Sequence, residues 1–382
     1  MTAHPLAPRS APRVLMTLDA VGGVWRYAMD LALGLKRAGY WLAFVGFGPR
    51  PSWAQQREAR ALGAFDWHDA PLDWTVRAAA DLSEVPELIA AAAVRHRVDL
   101  VQVNVPSQAA GLKVGVPVIA ISHSCVGTWF RAVRDSDLPP DWAWQGDLTR
   151  AGLQAASLAV APTGAHADLL RRVYPGLGRV EVVHNGSAAP ARPASGGHRV
   201  VAVGRWWDDA KNGALIDAAA PSVDWPIVLL GAMRGPDGQA LEVRNVAAPG
   251  QVSHAETQSL LRRAGIFVSP SLYEPFGLAV VEAARAGLPL VLSDIGGFRE
   301  LWEEAALYFP PDDPTALADA LNRLARDEGL RRTMGRAATA RSLRYTIEAQ
   351  TRSMRQLYED LLVPGGAAPA GHDDHKKLRG RA

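Results

Sequence analysis

Ser271-Leu-Tyr-Glu274-Pro275-Phe276-Gly277-Leu278-Ala-Val-Val-Glu282 follows directly on the apolar run Ile266-Phe-Val-Ser269. That run reads as a short buried strand. Pro275 biases the residue before it away from the α region, so Glu274 stays in the connecting loop. A helix then begins around Phe276 to Gly277, with its free N–H groups turned toward the strand end. Glu282 lies one to two turns into that helix, about 9 Å along its axis at 1.5 Å per residue. Two ordinary solvated glutamates fit poorly with so apolar a helix. Strand, short loop and apolar helix together make one unit of a parallel α/β sheet.

The same rhythm extends in both directions. Upstream it gives strands at Arg13 to Leu18, Tyr40 to Phe47, Asp99 to Asn104, Val116 to Ser122, Leu158 to Ala161 and Arg179 to Val183. Helices are expected over Trp25 to Ala38, over Asp141 to Ala156 and after Thr163. Ser187 to His198 is rich in Ala, Pro, Ser and Gly and reads as a linker. Beyond it come strands at Val200 to Val203, Ile227 to Leu230, Ile266 to Ser269 and Leu288 to Leu292, with helices after Lys211, over His254 to Ala264 and after Phe276. Asp313 to Leu362 reads as helical, broken at Gly329 and Gly335. The expectation is two doubly wound parallel-sheet domains, over residues 13–190 and 198–345. Residues 1–12 read as a disordered extension and 364–382 as a disordered tail.

Composition narrows the function classes. A chain of 382 residues suits two domains, and its net charge of +2 gives no basic face for nucleic acid. The single cysteine, Cys125, excludes an intramolecular disulfide and a thiolate-cluster metal site, and favours a cytoplasmic setting. No apolar run reaches the roughly twenty residues of a membrane helix. Peripheral membrane contact stays open.

Candidate chemistry gathers where strands end. Gly22-Gly23, after the first strand, lets backbone approach a ligand at a helix N-terminus, or makes a tight turn and nothing more. His123 follows a strand, as a hydroxyl-binding imidazole or as a structural histidine. Arg205 ends a strand and Lys211 opens the next helix, two cations suited to a diphosphate or a plain surface pair. Glu274 is placed to meet a sugar, the helix N-terminus at Phe276, Gly277 and Leu278 a phosphate, and Glu282 a ribose. Ser293 to Glu300 holds another glycine pair, read as a turn shaping the cleft floor. Trp129, Trp142 and Trp144 read as core positions, with stacking on an acceptor as the alternative. No Asp-x-Asp triplet sits at a strand end, so no metal site is expected.

These residues resemble the retaining GT-B glycosyltransferases of family 4 (group 1). Glu274-Pro-Phe-Gly-Leu-Ala-Val-Val-Glu282 is similar to that family's two glutamates separated by seven residues, and Ala283 to Ser293 to its usual continuation. Val203-Gly-Arg205, Lys211, Gly22-Gly23 and His123 fall in the family's order, and the resemblance runs from about Arg13 to Leu362.

The resemblance implies two Rossmann-like domains facing across a cleft, the first for the acceptor and the second for a nucleotide sugar. Residues 346–363 would form a helix crossing back to the first domain. It implies backbone contact at Gly22 and Gly23, sugar contact at His123 and Glu274, and diphosphate neutralisation by Arg205 and Lys211. Backbone N–H groups would come from Phe276, Gly277 and Leu278, and ribose binding from Glu282. The implied reaction is metal-independent, needs no cofactor, and moves a hexose-type sugar from a UDP-, GDP- or ADP-sugar. The acceptor hydroxyl would belong to a glycan, a lipid-linked molecule or a small molecule, in a setting such as cell-surface glycan synthesis. A dinucleotide oxidoreductase fits poorly, because Gly-x-Gly-x-x-Gly is missing after the first strand. An epimerase, a phosphorylase or a non-catalytic subunit of the same fold are the alternatives.

Overall fold

The computed structural model describes residues 11–191, 196–236 and 238–363. The extension expected over 1–12, apart from Ala11 and Pro12, and the tail expected over 364–382 lie outside the described residues. Two parallel sheets organise the chain. The first holds β1 (Arg13–Asp19), β2 (Trp41–Phe47), β3 (Ala64–Trp67), β4 (Leu100–Val103), β5 (Val118–Ile121), β6 (Leu158–Ala161) and β7 (Val180–Val182), in the order β3-β2-β1-β4-β5-β6-β7. The second holds β8 (Val200–Val203), β9 (Ile227–Leu230), β10 (Ala247–Gly250), β11 (Ile266–Ser269), β12 (Leu290–Ser293) and β13 (Ala306–Phe309), in the order β10-β9-β8-β11-β12-β13.

Helices α1 (Gly23–Arg37), α2 (Trp53–Leu62), α3 (Val85–Arg95), α4 (Val126–Arg134), α5 (Ala143–Ala155) and α6 (Gly164–Val173) serve the first sheet. Helices α7 (Gly213–Ala219), α8 (His254–Arg262), α9 (Leu278–Arg285), α10 (Gly296–Trp302), α11 (Pro314–Arg326) and α12 (Glu328–Ser342) serve the second, and α13 (Ile347–Leu362) ends the described chain.

Both faces of each sheet are buried, which is why the central strands are continuous apolar runs instead of alternating ones. In β1, Val14, Met16 and Leu18 pack with α1, while Leu15 points the other way into a cluster with Val85 and Ile89 of α3. In the second domain Val280 and Val281 of α9 fill one side and Leu317 and Leu321 of α11 the other. Thr346 caps α13, accepting from Ala349 N at 3.2 Å. Met354 and Tyr358 of α13, both fully buried, join the core of the first domain. The chain passes between domains twice, side by side: Ser187 N donates to Tyr345 O at 3.1 Å and Gly186 N to Gln350 Oε1 at 3.0 Å.

The C-terminal helical region differs from its sequence reading. Gly329 and Gly335 lie inside α12, and the breaks fall at Asp327 and at Leu343–Thr346. Asp327 starts α12 by accepting from Leu330 N at 2.8 Å. Gly335 is there for close packing: a Cβ on it would come within 2.5 Å of Gly287 O. Trp142 also departs from its core reading, being 40% exposed.

Strand order reverses between β1 and β4 and again between β8 and β11. Open parallel sheets bind ligands at the carboxyl ends of strands at such reversals. Gly22 follows β1, Arg205 follows β8 and Glu274 follows β11.

Candidate functional site

The loop after β1 meets the loop after β8 across the cleft. Gly22 has φ 81° and caps α1 without a side chain, and a Cβ there would lie 3.1 Å from Arg205 Nη1. Arg205 is half exposed, pairs with Asp208 at 3.4 Å and lies over the Trp207 ring at 5.5 Å. Asp208 also accepts from Ala210 N at 3.0 Å, which closes the single helical turn Asp209–Lys211. That turn aims Lys211 at the next strand end. Its Nζ donates to Glu274 Oε2 at 2.5 Å, with both side chains 17% exposed.

Glu274 lies in the loop after β11, before α9. Gly277, φ 86°, starts the helix and no side chain caps it. The ring of Phe276 is buried against Tyr345, while half-buried Leu278 packs between the cores of both domains. The second sheet therefore presents two cations, one carboxylate and an uncapped helix N-terminus at one end.

From the first domain come His123 and Asp19. Asn104 Nδ2 donates to Thr17 O at 2.7 Å, so its Oδ1 is the acceptor facing His123 Nε2 at 3.3 Å. Nε2 then carries the proton, and Nδ1 is free to accept. Burial, with His166 nearby, lowers the His123 pKa to about 3, so the ring is neutral at physiological pH. Asp19 at the end of β1 is pushed up to about 6 by burial, against the pull of Val21 N and Arg205.

Several cross-domain contacts had no signature in the sequence. Tyr273 OH meets Thr128 Oγ1 at 2.8 Å and His166 Nδ1 at 3.2 Å, and His166 Nε2 meets Ser122 Oγ at 3.0 Å. This buried chain ties the residue beside Glu274 to the residue beside His123. Glu300, in the stretch read as a turn, accepts from Gly164 N and Ala165 N, each at 2.8 Å, and so caps α6 of the other domain. Burial would raise its pKa, but His184 and these two amides outweigh that and lower it. Trp129 Nε1 donates to Asp208 Oδ1 at 2.9 Å, which is hydrogen bonding and not the core role read from the sequence.

Glu282 is separate from the Lys211 pair. It is 7% exposed, accepts from Gln258 Nε2 at 2.8 Å and has His254 Nδ1 at 4.0 Å. It borders a recess of about 220 Å³ that Arg26, Asp30, His254 and Gln258 also line. Burial, reinforced by Asp30, raises its pKa to about 7. Among the described residues no cluster of three His, Cys, Asp or Glu side chains is arranged to hold a metal. No described helix is long and apolar enough to cross a membrane.

Two family models match the chain: "Glycosyltransferase Family 4" over residues 21–187 and "Glycosyl transferases group 1" over residues 238–341. The chain belongs to the group 1, family 4 glycosyltransferases. Glycogen synthase of Mycobacterium tuberculosis is 31% identical over 208 residues, 49% of this chain and 50% of that one. Phosphatidyl-myo-inositol mannosyltransferase of Mycobacterium leprae is 29% identical over 182 residues, 44% of this chain and 48% of that one. The chain thus spans about half the length of the curated relatives it matches.

Solved structures share the GT-B fold more completely. Sucrose-phosphate synthase from Thermosynechococcus elongatus superposes with TM-score 0.76 at 19% identity, covering 92% of this chain and 99% of that one. Anabaena HepE in complex with UDP and glucose gives 0.72 at 16% identity, covering 92% and 100%. Of the two glutamates, Glu274 and Glu282, only the first touches Lys211.

Proposed function

We propose that the chain is a retaining glycosyltransferase that moves a hexose-type sugar from a nucleotide diphosphate donor to an acceptor hydroxyl without a divalent metal. The observation that carries this reading is the gathering of Arg205, Lys211, Glu274 and the uncapped N-terminus of α9 at one end of the second sheet, opposite Gly22. The UDP and UDP-glucose complexes of HepE support a nucleotide-sugar donor. In this reading residues 13–190 take the acceptor, residues 198–345 take the donor and α13 ties the two together.

The roles follow from where charge develops. As the anomeric C–O bond breaks, its electron pair goes to the leaving diphosphate and the sugar becomes oxocarbenium-like. Arg205, Lys211 and the N–H groups of Gly277 and Leu278 stabilise that anion with fixed charges and dipoles. Glu274 Oε2 is held by Lys211, so the carboxylate is oriented to accept from sugar hydroxyls and not freed as a nucleophile. The acceptor oxygen then attacks from the face the diphosphate leaves, and its proton passes to the leaving phosphate oxygen. The products are the glycoside and the nucleoside diphosphate. Neutral His123 offers Nδ1 to a sugar hydroxyl. Isolation of a glycosyl–enzyme adduct would replace this scheme with a double displacement.

A thermal-shift panel of UDP, GDP and ADP in EDTA tests the donor site. One nucleotide should raise the melting temperature selectively, and Arg205→Ala should abolish the rise. A folded protein that responds to none of them removes the donor site.

The Gly22 turn gives a second test. Gly22→Ala places a side chain at φ 81° and against the guanidinium of Arg205, and should cost about 1–2 kcal/mol of stability. Displacing Arg205 should also weaken nucleotide binding. Gly23→Ala meets only Leu278 Cδ1, at 4.0 Å, and should stay near wild type. Urea melts with and without nucleotide read both effects; two variants that behave alike would take the Gly22–Arg205 contact out of the site.

A further inference from the structure

A cavity of about 360 Å³ opens in the first domain beside the turn that follows β4. Leu72, Leu82, Val85 and Leu148 make its walls mostly apolar. Polar groups interrupt them at Asp73, Ser83, Glu87, Ser107, Gln108 and Lys113. Asp73 accepts from Ser107 Oγ at 2.6 Å, and Gln108 is 7% exposed with an Oε1 that has no hydrogen-bond partner. A buried amide without a partner is costly, and such a group in a native fold needs an explanation. A half-turn of the amide presents either its oxygen or its NH₂ to a bound molecule.

The cavity's position links it to the reaction centre. Val105, Ser107 and Gln108 follow directly on Asn104, whose Oδ1 meets His123. The charge of Asp73 is felt by Asp19 at the end of β1 and by Cys125, two residues after His123. Pro71 to Asp73 follow β3 and Val105 to Lys113 follow β4, so the cavity lies at the carboxyl ends of the first sheet's strands.

We infer that this cavity holds the body of the acceptor, and that the acceptor is a small, mainly apolar alcohol or phenol. The inference rests on the proposed glycosyl transfer and names the substrate class that it leaves open. Pockets for small molecules run from roughly 300 to 1,000 Å³, so this one suits a ring system or a short branched chain and not a glycan. Glu87 and Lys113, both exposed, line the cavity with opposite charges, and Asp73 adds a carboxylate. No excess of positive charge is present to select a diphosphate-linked lipid. The amide of Gln108 supplies the hydrogen bond that orients a ring substituent.

Ala90 and Ala110 line the cavity and are half-buried, so each accepts a larger side chain with little disturbance to the core. The full chain should bind 4-methylumbelliferone or geraniol saturably by calorimetry. Ala90→Trp and Ala110→Phe should each weaken that binding at least tenfold while leaving the nucleotide thermal shift unchanged. A preserved nucleotide shift with neither probe bound, or with binding that both fillings leave intact, overturns the pocket and spares the donor site. Saturable binding of maltotriose that is insensitive to the fillings, with no probe bound, overturns it in favour of a glycan. Loss of the nucleotide shift in the wild type overturns the proposed function, and the acceptor role falls with it.

Discussion

Lys211→Met should lower kcat/KM by about two to three orders of magnitude, the usual cost of removing one preorganised donor from a developing anion. The ammonium is the cation held closest to Glu274, at 2.5 Å, in a site where each partner is 17% exposed. Removing it has two separable effects. The transition state loses a fixed positive charge, and Glu274 is left as an unpaired, mostly buried carboxylate. Breaking a fully buried pair costs about 3–5 kcal/mol; the residual exposure here brings the expected loss of stability nearer 1–2 kcal/mol. The double variant Lys211→Met/Glu274→Gln removes the stranded charge, so it should regain most of that stability and none of the activity. Steady-state kinetics with the donor chosen by the nucleotide panel, beside urea melts, reads the two effects apart. Activity within threefold of wild type in the single variant would show that Lys211 only supports Glu274.

The parts of the fold legible in the sequence are those buried on both sides. β1, β8 and β11 are central strands buried on both faces, so residues 14–16, 200–203 and 266–268 are continuous apolar runs and unmistakable. The edge strands β3, β10 and β13 escaped the reading for the opposite reason. Residues 247–250 are Ala-Ala-Pro-Gly, and the proline is tolerated because β10 pairs on one side only. Gly329 and Gly335 misled because a glycine inside a helix signals a break or a close approach equally well, and for Gly335 only the position of Gly287 decides between the two.

The site shows the same division. Gly22, His123, Arg205, Lys211 and Glu274 stand out because glycine or polar residues at strand ends interrupt an apolar pattern, and Glu282 because it interrupts an apolar helix. Their partners do not stand out. Tyr273 reaches His166, and Glu300 reaches Gly164, across more than a hundred residues of sequence, and nothing local marks either pair. Nor does the sequence separate the two glutamates electrostatically, although one sits on a lysine and the other in a recess beside Asp30.

That second environment gives a prediction of opposite signs. At pH 8, Glu282→Gln should melt higher than wild type and bind nucleotide more weakly. Burial lifts the Glu282 pKa from 4.5 to about 7. Below pH 4.5 the folded and unfolded chains both hold the proton, and the carboxyl does not discriminate between them. As pH rises, the unfolded chain ionises first, and the folded state loses relative stability until it too ionises near pH 7. Above that the full cost of the buried charge stands, on the order of 3 kcal/mol at 1.36 kcal/mol per unit. Glutamine removes the cost and still accepts from Gln258. Wild type and variant should therefore converge near pH 4.5 and diverge up to pH 8. Contributions from Asp19, His123 and His166 cancel in the difference between the two proteins.

Binding runs the other way. An ionised carboxylate accepts from both ribose hydroxyls, and each such charge-assisted bond is roughly twice as strong as a neutral one. An amide accepts one and must donate to the other. Nucleotide affinity should fall about ten- to thirtyfold in the variant, equivalent to roughly 1.4–2 kcal/mol. In the wild type, affinity should climb as pH rises through 7, because ribose recruits the charged form; in the variant it should stay flat. Calorimetric titrations at pH 6 and pH 8 decide the matter. A stability gain with unchanged affinity would make Glu282 a buried structural acid. The gain together with the lost pH dependence identifies a carboxylate kept at a cost to the fold because the donor needs its charge.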